Sequence, residues 1–161
     1  MTMEITPINE REGQCGVATL KMLLKKFGIE KTTEEIHELL EFKNNGTSAE
    51  QMVSAAQKAG LNAFVMESGT IGILKSFTDI GFPVAVDWFS EDDGHWSIIT
   101  KVTDKSVWMI DPEGARIRRF THEKFLRIWF DYHHEYPLHS MDFVIRQMVI
   151  IFRDKLKIIS K

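Results

Sequence analysis

The chain contains one cysteine and six histidines, the side chains from which nucleophilic chemistry near neutral pH is most readily built. A lone cysteine is by default a small buried hydrophobe, but the setting of Cys15 argues otherwise. It follows a polar loop, residues 9–14, and opens the amphipathic segment CGVATLKMLLKKF. Its sulfur therefore falls at a helix N-terminus, where unpaired backbone N–H groups and the helix dipole favour the anionic, nucleophilic form. Gly16, beside it, has no side chain and would let a substrate carbonyl approach closely.

A thiolate catalyst needs a base that holds a proton and returns it to the leaving amine. His95 is well mounted for that role, since it follows the tight SEDDG turn and starts an apolar strand, between Gly94 and Trp96. Gly94 would leave the cleft open there, and Trp96 would wall it. Asp92 and Asp93 are turn residues whose negative charge favours the imidazolium. His37 falls within a helix and His122 near a helix start, both expected in solvent. His133, His134 and His139 cluster in YHHEYPLH, where the spacing fits no common zinc site and Pro137 breaks any helix. A surface loop is expected there, and no metal. An imidazole base also needs an acceptor on its other ring nitrogen. Asp111 ends the run SVWMID just before Pro112; alone, Asp-Pro reads as a turn starter. If 95–102 and 106–111 form a hairpin, His95 and Asp111 stand opposite each other across the ladder.

The elements that must position these groups follow from periodicity. Residues 15–27 place Val17, Leu20, Leu24 and Phe27 on one helical face, and Gly28 suits the stop. Thr32 with Glu35, and Thr47 with Glu50, form capping-box patterns opening two further helices, the first to about Leu40 and the second ended by Gly60. Residues 61–66 read as a short strand and 71–77 as a helix. Strands are expected over 82–89, 95–102, 106–111 and 115–120, then a helix over 121–130 and a closing strand over 142–152. The tail from 153 reads as a solvated last strand or a fraying end. Helices first and an antiparallel sheet second make one α+β domain over 1–161.

Composition sets the class. With 161 residues, 43% apolar and 27% charged, the chain can bury a full core and is not disordered. A net charge of −3 provides no basic field, so nucleic acid is not the expected partner. One cysteine permits no internal disulfide, the start lacks a secretory signal, and no apolar run is long enough to span a bilayer. A soluble, cytoplasmic protein without a transmembrane segment is expected. No phosphate-cradling loop is present, and no cofactor is expected.

QCGVATLKMLLKKFG, GHWSIITKV and WMIDPEG together resemble the peptidase domains that remove double-glycine leaders from bacteriocins and related peptides. Cys15 and His95 are 80 positions apart, and His95 and Asp111 are 16 apart, spacings typical of that family. The resemblance covers about residues 5–150. It implies a papain-like cysteine peptidase fold, with Cys15 as nucleophile, His95 as general base and acid, and Asp111 orienting the histidine. The family places a glutamine six positions before the cysteine to donate to the oxyanion; here that position is Asn9, with Gln14 as a second candidate. Loss of one oxyanion donor costs about 2.7–4 kcal/mol of transition-state stabilisation, so the substitution bears on rate. The implied partners are a peptide or protein substrate, cut after small residues, and a separate transporter. A non-catalytic peptide-binding module on the same fold, or a thiol acyltransferase or amidase, are the alternatives, because a triad does not choose between water and an amine.

Overall fold

A computed structural model of the protein describes residues 4–9, 11–91 and 93–153. Three helices come first: α1 (Cys15–Lys26), α2 (Thr33–Leu40) and α3 (Ala49–Lys58). After β1 (Asn62–Met66) and α4 (Ile71–Asp79), the strands β2 (Val84–Ser90), β3 (Asp93–Val102), β4 (Ser106–Asp111) and β5 (Arg116–Thr121) follow in succession. The chain then forms α5 (His122–Ile128), β6 (Phe130–Tyr132), β7 (Phe143–Ile145) and β8 (Met148–Phe152). The main sheet is antiparallel throughout, in the order β1-β8-β2-β3-β4-β5, while β6 and β7 pair separately.

The last strand explains how the layers are arranged. MVIIF is buried at all five positions, without the alternation of a half-exposed strand, because β8 is inserted between β1 and β2 and is covered on both faces. Val149 and Ile151 join the core beneath α1, α2 and α3, with Leu20, Leu24, Met52 and Ile98. Met148 and Ile150 face the other way, into a second core with Leu74 of α4, Phe125 of α5 and Trp129. Helices thus cover both sides of the sheet.

Most expected elements are present, with three differences. The cap of α3 is Ser48 with Gln51, one residue beyond the expected Thr47 and Glu50; the Ser48 hydroxyl accepts from Gln51 N–H at 3.1 Å and the Gln51 side chain answers at 2.9 Å. The expected 142–152 strand is two strands broken at Arg146, whose φ of 51° is left-handed. The helix expected to reach 130 stops at Ile128, and β6 takes over. The expectations for residues 154–161 and for Asp92 lie outside the described residues.

Two hairpins deliver the residues of interest. Ser90 pairs with Asp93 across the β2–β3 turn, which places Trp88 opposite His95. In β3–β4 the register shifts between Ile99 and Lys101, leaving Thr100 as an extra residue. A one-residue slip exchanges the two faces of a strand. Beyond the bulge the pairs run Ile99 with Met109 and Ile98 with Ile110, a register that, extended one step, sets Ser97 across from Asp111. His95 and Asp111 therefore share a face as diagonal neighbours, not the direct cross-strand partners expected from the sequence. Without the bulge, they would lie on opposite faces.

Ser48→Ala should destabilise the protein by about 1 kcal/mol in urea unfolding, whereas a cap at Thr47 would leave the midpoint of that variant unchanged.

Candidate active site

The N-terminus of α1 carries Cys15, half-buried, as its first residue. Gln14 is the N-cap residue but provides no side-chain cap, and the first turn has no acidic residue, so no side chain of the cap neutralises the helix end. One turn further on, the Thr19 hydroxyl donates to the backbone carbonyl of Trp96 at 3.4 Å. Residues i and i+4 share a helical face. The bond therefore brings the Cys15 face of α1 against the start of β3, where His95 stands.

His95 Nε2 lies 2.6 Å from Oδ1 of Asp111, a carboxylate with no exposed surface. Nδ1 is the ring nitrogen not engaged by Asp111, and the neighbouring Cys15 sulfur favours the protonated ring. Burial alone would lower the basicity of the imidazole. The hydrogen bonds to Asp111 and Cys15, with the negative charge of both, outweigh it and raise the pKa from 6.5 to about 10. Burial works against ionisation of Asp111 as well. Its hydrogen bonds to His95, to the N–H of Glu113 at 2.9 Å and to Arg118 at 3.1 Å nonetheless hold it below the usual carboxylate range.

Cys15 and His95 open onto a cavity of about 470 Å³ lined also by Asn9, Glu91, Gly94 and Gly114, among others, with Asp111 buried behind the histidine. Asn9 is brought to this cleft from the N-terminal loop. Its Oδ1 accepts from Gly114 N–H at 2.9 Å, which leaves the carboxamide nitrogen as the remaining donor. Among the described residues, no three His, Cys, Asp or Glu side chains are grouped to hold a metal ion. No helix among them is long and apolar enough to cross a membrane.

Over residues 6–133 the sequence matches the peptidase C39 family. The chain belongs to that family. It is 31% identical over 119 residues to the lactococcin-G-processing and transport ATP-binding protein LagD of Lactococcus lactis subsp. lactis, a match covering 73% of this chain and 16% of LagD. The chain therefore aligns with only a small part of that relative's length. In fold it is similar to the peptidase domain of Streptococcus ComA, a bi-functional ABC transporter involved in quorum sensing. That TM-score is 0.74 at 18% identity, covering 94% of this chain and 100% of the other. A double glycine motif protease from an AMS/PCAT transporter, in complex with its leader peptide, gives 0.71 at 18% identity, with 94% and 93% covered. The architecture of this C39 chain is that of a papain-like cysteine peptidase.

Three sequence expectations for the C39 site are displaced. Trp96 does not wall the cleft: one step along the strand from His95, it turns to the opposite face, lies 3% exposed in the helix-side core, and donates Nε1–H to Thr47 O at 2.8 Å. Trp88 meets His95 instead, edge to face, with centroids 5.6 Å apart. Gly16 is buried against Thr47, whose Cβ would stand 2.5 Å from a Cβ added there, so its smallness serves packing. Gln14 is not brought to the cleft; its Oε1 is 2.9 Å from His37 Nε2, away on α2. Gly94 does line the cleft, and a Cβ there would fall on the Asp131 carboxylate.

Three other side chains matter here that sequence reasoning passed over. Trp88 could have been found by counting back through the SEDDG turn, since the tight Ser90–Asp93 pairing implies Trp88 opposite His95. Arg118 is two positions from Arg116, which pairs with Asp111, and so shares its face. Asp87, beside Asp131, has no such signal: burial first, then the Asp131 charge, keeps its carboxyl protonated well above the normal range.

Because the pKa of His95 is raised on folding, its protonation stabilises the fold fully below about pH 6.5, and that contribution is lost as pH rises through about 10. Urea unfolding between pH 6 and 10 should show this decline in the wild type and a smaller one in His95→Gln. Parallel pH dependences would contradict it.

Proposed function

We propose that the protein is a thiol peptidase that cleaves a leader-type peptide after small residues through Cys15, His95 and Asp111. The observation that carries this reading is one imidazole that lines an open cleft with a sulfur at a helix N-terminus and is held from behind by a buried carboxylate. The Cys15 thiolate attacks the scissile carbonyl carbon, and negative charge moves onto the carbonyl oxygen. The backbone N–H of Cys15 and the Asn9 carboxamide nitrogen stabilise that oxyanion. As the intermediate collapses, the C–N bond breaks and His95 gives its Nδ1 proton to the departing amine. A thioester remains on Cys15. Water then loses a proton to His95 and adds to the thioester carbonyl, and the C–S bond breaks to release the acid and restore the thiolate–imidazolium pair. Asp111 stays ionised and holds the ring through Nε2.

The preference for small residues and for a leader peptide rests on family membership and on the similarity to LagD, whose name joins processing to transport. A transporter is the proposed partner on the same ground. One free cysteine acting as a nucleophile suits a reducing compartment, and the cytoplasm is the proposed location.

Incubating the protein with a peptide bearing two glycines before the cut should release both fragments, detected by mass spectrometry, and Cys15→Ala should release none. Asn9→Ala should lower kcat by about 100- to 1000-fold while Gln14→Ala leaves it near wild type. Products carrying an added amine in place of water would assign the acyltransferase reading. Tight peptide binding with no cleavage would assign the binding module.

A further inference from the structure

Asp111 is compensated from two sides. Oδ1 takes His95 Nε2 at 2.6 Å and the Glu113 N–H at 2.9 Å, while Oδ2 takes Arg118 Nη1 at 3.1 Å, with Arg116 Nε at 3.6 Å. The two arginines are not equivalent. Arg116 is half exposed and gives its guanidinium to Glu113 at 2.6 Å, so its pull on Asp111 is weak and screened. The Arg118 side chain is 25% exposed, and its guanidinium carbon lies 5.1 Å from the ring centres of both Trp88 and Phe120. Trp88 is itself pinned, 1% exposed and donating Nε1–H to Ser97 Oγ at 3.0 Å, with its ring edge-on to the His95 imidazole. One guanidinium thus reaches both groups that hold the histidine: the carboxylate at its Nε2 and the indole along its side.

We propose that Arg118 is a positioning residue that fixes the His95 imidazole toward Cys15 through Asp111 and Trp88 together. This rests on the triad reading above. Each part of the arginine is used. Its permanent charge satisfies Oδ2 of a carboxylate with no water-exposed surface, where an orphaned oxygen is costly. Its flat, delocalised guanidinium lies over the indole and phenyl rings, a contact better suited to it than to a compact ammonium group. Without it, Asp111 takes up a proton or turns toward a new partner, and either change weakens its hold on His95. The charged groups facing the imidazole are Cys15 and Asp111. Simple loss of a nearby cation would make His95 more basic, whereas loss of positioning makes it less basic, so the direction of the change separates the two.

The test uses Arg118→Gln, Arg118→Lys and Arg116→Gln, with two readouts that need no turnover: the NMR titration of His95 and the rate of Cys15 alkylation by iodoacetamide at pH 6. In Arg118→Gln the titration should move down by at least about one pH unit and alkylation should slow about tenfold. Arg118→Lys should recover only part of the difference, because charge returns without the flat contact. Arg116→Gln should shift both readouts far less. A His95 titration that is unchanged or raised in Arg118→Gln overturns the proposal; should that variant fail to fold, wild-type behaviour of Arg118→Lys overturns it. If the shifts occur but the wild type cuts no peptide, the positioning role stands and the peptidase reading fails. If peptides are cut and the titration does not move, the reverse holds.

Discussion

A carboxylate sealed from water must be compensated by its neighbours, and much of the site can be read as the compensation of Asp111. Its oxygens are met by an imidazole, a backbone N–H and two guanidinium groups of unequal grip. The burial that makes the anion costly also strengthens each of these contacts, because little water competes for them. The result is an imidazole far more basic than in solution, although burial of the ring opposes its charge. A proton that would leave an ordinary histidine near neutrality is retained, and the adjacent sulfur has a cation beside it. In the proposed reaction, chemistry at Cys15 thus depends on a carboxylate that does not itself touch substrate.

Bringing these groups together depends on small features of the backbone. The extra residue at Thr100 sets which face of β3 carries His95, and the Thr19 bond to the Trp96 carbonyl sets where α1 meets that strand. The Asn9 bond to Gly114 ties the N-terminal loop to the turn after β4, across the same cleft. Three regions far apart in the chain are thus fastened by individual hydrogen bonds as well as by the two apolar cores. Rigid mounting is what separates a reactive constellation from a coincidence of residue types.

Much of this is legible in the sequence itself. Helical periodicity places α1 within a residue at its C-terminal end, and the polar loop ahead of Cys15 locates its start, because an amphipathic face and a change of polarity are local signals. Cys15, His95 and Asp111 are legible for the same reason: each sits at the end of an element, next to turn chemistry. What escapes depends on registry. A bulge has no strong composition, so a direct pairing of His95 with Asp111 is one step too simple. Trp96 adjoins His95 in sequence but alternation turns it away, while Trp88, seven positions earlier, faces the ring across a hairpin. Gly16 looks like an opening for substrate because nothing local shows Thr47, thirty-one positions later, packing against it. The apolar continuity of β8 is visible, but not its place in the middle of the sheet, since strand order is a non-local property.

The most direct test of the central claim is a nitrogen-15 NMR titration of the His95 ring in the unmodified protein. Both ring nitrogens should stay protonated through neutral pH, with the proton lost only as the pH approaches about 10. A ring that becomes neutral near 6.5, like a free histidine, would show that Asp111 and Cys15 do not hold the proton, and the account would fail.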